Sequence, residues 1–250
     1  MANIINFGGG KAAGGGSYAI SAPIMGVDFT WDGGDNTCQV IDEGSGNWQM
    51  RFLSSGNLKF LNNRLIDEFL VGGGGAGGSA SYQQANGGGA GYTKTVKSVV
   101  LVADTVYPIV VGAGGTTHTA QAGTSSAFGA EAAGGFGGGH SATPSRGGSG
   151  GAVISLSGSS DVYAGGTDGG NGSGSGGGIG QGTTTRAFGE SDGTLYAKGG
   201  DASTRSSVIG PTSPNTGDGG GSNWGSNNTP TYPGASGIVI IRNHREEAAA

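Results

Sequence analysis

Cysteine occurs once, at Cys38, so a disulfide framework and a multi-cysteine zinc site are both excluded. Such a chain suits a reducing cytosol, and Cys38 reads as a small, semi-buried side chain. Charge is scarce as well: Asp, Glu, Lys and Arg make up 12% of residues and the net charge is −5. That balance lacks the cationic face that phosphate binding needs, so no nucleic-acid partner is expected. No window of about 18 apolar residues exists, and no membrane insertion is expected. The opening Met1–Phe7 lacks a basic stretch and a long apolar core, so no signal peptide is read. The histidines His118, His140 and His244 are too scattered for zinc-ligand spacing and read as surface or loop residues.

What the chain has in abundance is glycine, 60 of 250 residues, more than three times the usual ~7%. Glycine costs about 1 kcal/mol per helical position relative to alanine, which argues against helical bundles and doubly wound enzymes. A flexible linker is opposed by concentrated apolar segments, and collagen by the absence of a strict every-third-residue register. The expected fold class is mainly β with almost no α-helix.

Strand signals cluster in two places. Val27–Trp31, Trp48–Leu53 and Leu58–Leu61 alternate apolar and polar residues, and Leu65–Val71 has a largely apolar face. The last three read as a short antiparallel meander. Thr93–Val102 and Val106–Val111 follow, and Ser236–Arg242 is a last β-branched strand after a long glycine-rich stretch. Left unpaired, Ile238–Ile241 would invite aggregation, so this strand is expected to return to the early ones. Between them, glycine runs such as 72–75, 87–89, 134–139, 147–151, 174–180 and 219–221 suit the polyproline II conformation. Lacking Cβ atoms, such runs can lie side by side and bond each amide to a neighbouring run. The expected organisation is an N-terminal attachment or β segment at 1–45 and a small antiparallel β-sandwich base at 46–111 plus 236–243. A polyglycine II lattice with surface loops fills 112–235, and a polar tail ends the chain at 244–250.

Enzyme-like patterns carry little weight at this glycine content. Gly172–Gly177 fits G-x-G-x-x-G, but about three such matches arise by chance and the strand–loop–helix context is missing. Gly147–Gly151 fits G-x-S-x-G, yet Ala152–Leu156 after it reads as strand rather than helix. Lys11 is followed by alanine, so no P-loop forms. Asp161, Asp168, Asp192, Asp201 and Asp218 do not recur at the fixed period of calcium-binding repeats. No cofactor, metal or catalytic residue is expected.

The segments between glycine runs (140–146, 183–188, 191–196 and 222–233) gather aromatics, arginine, proline, serine and asparagine. That is the chemistry of adaptable binding loops on a rigid scaffold. Candidate contact residues are His140, Pro144, Arg146, Arg186, Phe188, Tyr196, Trp224 and Tyr232. Trp224 and Tyr232 could instead cap the lattice edge and shield it from water.

The segment Leu65–Gly78, followed in order by Tyr107–Gly115, Gly123–Gly129 and Ser236–Arg242, resembles the glycine-rich domains of phage and prophage tail proteins. It is also similar to the tip adhesins of T-even-like long tail fibres and to the glycine-rich module of the anaplastic lymphoma kinase receptor family. The resemblance covers roughly residues 48–243 and implies a non-enzymatic tail fibre or tail tip adhesin on the virion. Its implied partners are a host cell-envelope receptor, protein or glycan, and a phage tail fibre or baseplate protein. Self-association into a homo-oligomer is compatible with the sequence. The alternative is a purely structural assembly or fibre-capping protein; ice binding and hydrolysis find less support in the residues.

Overall fold

The computed structural model describes residues 22–80, 85–139, 147–148, 152, 162–163, 172–173, 176–178, 185–203, 211, 213–224 and 232–245. The expected N-terminal segment up to residue 21, the strand at 153–156 and the end of the tail at 246–250 lie outside them.

Ten strands carry the base. They are β1 (Phe29–Trp31), β2 (Cys38–Gly44), β3 (Asn47–Phe52), β4 (Gly56–Phe60), β5 (Arg64–Val71), β6 (Thr93–Leu101) and β7 (Val106–Ile109). A short hairpin, β8 (Ser125–Ala127) and β9 (Ala130–Ala132), and the last strand β10 (Ile238–Asn243) complete the set. One antiparallel sheet has the order β2-β3-β10-β5-β6, and a second has the order β1-β4-β7. The returning strand lies at the centre of the larger sheet, with Ile240 opposite Arg51 on one side and Phe69 on the other. It thereby joins the two ends of the chain's glycine-rich stretch.

The expected meander is corrected here. β3 and β5 belong to the five-stranded sheet, whereas β4 between them pairs with β1 and β7 in the other. The chain crosses the sandwich twice, so that alternating side chains from both sheets fill one core. Trp48, Met50, Phe52, Ile66, Leu70, Val239 and Ile241 face Phe29, Leu58, Phe60 and Ile109, all buried. The Trp48 and Phe60 rings meet across the interface with centroids 6.5 Å apart. Cys38 sits in this core, where burial pushes its thiol up to about 12. The base also starts earlier than residue 46, since β1 and β2 are part of it.

Beyond β5 the chain enters the lattice directly, forty residues ahead of the expected start at 112. The runs at 72–78 and 86–91 lie at its centre. Gly75 N–H donates to Gly89 O, Gly88 N–H to Gly220 O and Gly220 N–H back to Gly75 O, each at 2.8 Å. Three runs distant in sequence are thus tied in a closed cycle. The first run is further bonded to segments at 115, 123, 135–138 and 232–235. Space explains the composition. A Cβ built on Gly77 would lie 1.9 Å from Gly221 O, and one on Gly88 would lie 2.1 Å from Gly75 O. Backbones this close leave room for a hydrogen atom and nothing more. Each exchanged hydrogen bond is worth only about 1 kcal/mol net, against 1–2 kcal/mol to order a residue's backbone. The lattice therefore depends on the sandwich strands β5, β6 and β10 that anchor its ends.

Candidate functional site

The outer face of the five-stranded sheet divides into two halves. Alternation along β3 turns Trp48, Met50 and Phe52 inward and leaves Asn47, Gln49 and Arg51 half-buried on the outer side. On the same face, β10 and β5 contribute Ile238, Ile240, Phe69 and Val71, which form a second buried cluster. A segment at 185–197 lies over the apolar half and leaves the polar half open.

That covering segment is held by its own backbone. Ala187 N–H donates to Thr194 O at 3.0 Å, Tyr196 N–H to Thr185 O at 2.8 Å, and Arg186 Nη1 to Gly193 O at 3.1 Å. Its 3₁₀ turn, Ala187–Gly189, places Phe188 at φ 58°, a left-handed conformation that costs a bulky residue of order 1 kcal/mol or more. Packing offsets the cost. The Phe188 ring lies 5.9 Å from that of Phe69, Tyr196 lies 5.6 Å from it, and the Arg242 guanidinium sits 4.1 Å above the Phe188 centroid.

Between this segment and the polar half of the sheet lies a cavity of about 390 Å³. Its floor is Asn47, Gln49, Arg51 and Arg242; Phe188, Glu190, Asp192 and Tyr196 form one wall, and Glu43 and Arg245 stand at the far side. Arg242 is fully engaged, with Nη1 2.6 Å from Glu190 Oε1 and Nε 3.3 Å from the buried Asp67 Oδ2. Arg245 pairs with Glu43. Arg51 has no ion pair among the described residues, and its Nε is buried without a hydrogen-bond partner. Burial pushes the Tyr196 phenol above its ordinary range, against the opposing effect of the nearby Arg51 charge.

Behind the cavity, Asp67 accepts from His244 Nδ1 at 2.6 Å and from the Ser98 amide at 3.1 Å. Burial alone would raise the Asp67 carboxyl, but those hydrogen bonds and the His244 and Arg242 charges outweigh it and hold it below its usual range. Ser98, His244 and Asp67 make the residue set of a hydrolase triad. The geometry does not make one: Ser98 Oγ lies 3.4 Å from Nε2 and 3.5 Å from Nδ1 of His244, along the lone-pair direction of neither nitrogen. Among the described residues, no group of three His, Cys, Asp or Glu side chains is placed to hold a metal ion. A second cavity of about 390 Å³ lies beside the β8–β9 hairpin, next to Tyr107, Phe128 and Glu131. It offers a single charged side chain.

The eight expected contact residues fare differently. His140, Pro144 and Arg146 lie outside the described residues. Arg186 is half-buried and holds its own segment together. Phe188 and Tyr196 are 7% and 6% exposed. Both rings pack on the apolar outer face of β5 and β10, and both also line the cavity. Trp224 lies in a two-residue strand paired in parallel with Ser79–Ala80. Tyr232 is half-buried, and its carbonyl accepts from Gly77 N–H at 2.9 Å, so its backbone is part of the lattice. The cavity brings Arg186's neighbours together with residues that the loop-based reading missed, above all Asn47, Gln49 and Arg51. Their signal was present: within the alternation of β3, the outward positions are all polar.

A β-sandwich whose strands open into a backbone-bonded glycine lattice defines a glycine-rich β protein. The family described as glycine-rich domain matches residues 54–244, and the chain belongs to that family. No curated protein matches it.

Proposed function

We propose that the protein is a non-enzymatic adhesin of a phage tail fibre or tail tip, carried on the virion, which binds a host cell-surface receptor. In this reading it is made in the bacterial cytoplasm and partners a tail fibre or baseplate protein. The observation that carries the proposal is the division between scaffold and site. A lattice bonded through its backbone supplies rigidity with few side chains, and a cavity rich in amides, arginines and acids lies at the flank of the base. Rigid scaffolds with polar, adaptable surfaces are a common solution for recognition. Membership of the glycine-rich domain family and the ordered resemblance to tail proteins support it.

The test is binding of the labelled full chain to intact bacteria across a panel of strains. Saturable binding to some strains and not others is expected. A second reading is a structural assembly or fibre-capping protein without a receptor. It draws on β6, which ends the five-stranded sheet with no further strand paired to it among the described residues, and on Val100, Val102 and Val106, which are 58%, 53% and 57% exposed. An open sheet edge with apolar side chains favours pairing with another chain. Binding to no strain, together with a stable complex with tail proteins, would favour that reading.

A further inference from the structure

Of the three arginines in the cavity, two are spoken for. Asp67 and Glu190 hold Arg242, and Glu43 holds Arg245, whereas Arg51 has no acidic partner among the described residues. Its Nε is buried and unbonded, as is that of Arg245, so the missing carboxylate is what sets Arg51 apart. Arg51 therefore lines the cavity with its charge unmatched by any carboxylate within ion-pair distance among the described residues. The phenol of Tyr196 beside it stays neutral, since burial holds its ionisation above the ordinary range.

We propose that this cavity is a subsite for the carboxylate of an acidic saccharide, received by Arg51, with Asn47, Gln49 and Asp192 taking sugar hydroxyls. The inference rests on the receptor-binding reading and specifies the chemical class of the receptor. Charge selects the anion. The cavity holds the cations Arg51, Arg242 and Arg245 against the acids Glu43, Glu190 and Asp192, so the formal charges of the lining cancel. A dianionic phosphate would meet three carboxylates, while one carboxylate matches one open guanidinium, whose planar fork suits it in two parallel bonds. The remaining groups select the saccharide. Asn47 and Gln49 project from alternate positions of one strand, roughly 7 Å apart, and planar amides both donate and accept. Asp192 is exposed at the rim and adds an acceptor. The volume falls within the range of small-ligand sites, about 300–1,000 Å³.

The experiment titrates a panel of uronate trimers (galacturonate, glucuronate and mannuronate) into the full chain, each beside its neutral hexose counterpart, with inorganic phosphate as a separate arm. At least one acidic trimer is expected to bind at least about tenfold more tightly than its neutral counterpart. Arg51→Gln should weaken that binding about tenfold or more without lowering the melting temperature, and Arg51→Lys should restore it only in part. Failure of every acidic trimer to bind would overturn the proposal, as would an unaffected Arg51→Gln variant or phosphate competing as well as the uronate. Cell binding separates this from the parent reading. Binding to bacteria that persists in Arg51→Gln and resists competition by the trimers would overturn the subsite and leave the adhesin standing. Trimer binding without binding to any strain would overturn the adhesin and leave the subsite.

Discussion

Glu68 faces the inter-sheet core between Ile66 and Leu70, is 1% exposed, and leaves Oε2 without a partner. Burial pushes its carboxyl up to about 7, against the opposing charge of Lys94. In the unfolded chain the same group titrates near its ordinary ~4.3. Between those values the folded protein holds a proton that the unfolded chain has lost, so this residue lowers stability as pH rises through about 7. Glu68→Gln should therefore melt above the wild type at about pH 8, with a gap of up to about 3 kcal/mol that narrows as pH falls and closes only below about pH 4. Thermal melts of both proteins across that range check this, and parallel pH profiles would contradict it. Phe188 offers a second residue-scale test. Buried against Phe69 and beneath Arg242, it should cost about 3 kcal/mol on truncation to alanine. A ring free in solvent would cost under about 0.5 kcal/mol, and denaturant unfolding distinguishes the two. Neither role was legible from composition: Phe188 reads as a loop aromatic because the surface that needs it, Phe69 and Ile240, lies far away in sequence.

At the scale of elements, the strands were legible and their partition was not. The alternation of Trp48, Met50 and Phe52 marks β3, and that of Leu58 and Phe60 marks β4, but both patterns bury one face equally well against either sheet. Only the shared core decides that consecutive strands belong to opposite layers. β2 escaped notice because its apolar content is limited to Cys38, Val40 and Ile41, and Ile41 on the outer face breaks the alternation. The lattice runs were visible as glycine and their neighbours were not, since a run without side chains carries no code for which carbonyl it meets. Steric demand supplies the test. Gly77→Ala would set a Cβ 1.9 Å from Gly221 O, inside a bonded backbone that has nowhere to move, and should cost about 3 kcal/mol. Gly139→Ala meets nothing within 4 Å among the described residues and should change stability by less than about 0.5 kcal/mol. Equal losses from the two would mean that glycine is needed for chain freedom rather than close approach.

At the scale of the whole molecule, two kinds of interior share one set of strands. Side chains fill the sandwich, and backbone amides and carbonyls fill the lattice. β5 runs from the first into the second at Val71, and β10 returns at Ile238 to lie beside β5. This continuity was legible in part, from the argument that an apolar last strand must return to the early ones. The position of the cavity was not, because it depends on how the segment at 185–197 covers one half of the sheet. Its polar floor and any ligand it takes stay in place only as long as both interiors hold. The direct measurement is amide hydrogen exchange resolved to single residues in the native protein. Gly75, Gly88 and Gly220, which close the three-run cycle, should be protected to a degree approaching Phe69 and Ile240 in the central strands. Exchange of those glycine amides at the rate of a free peptide, with the strands still protected, would contradict the account.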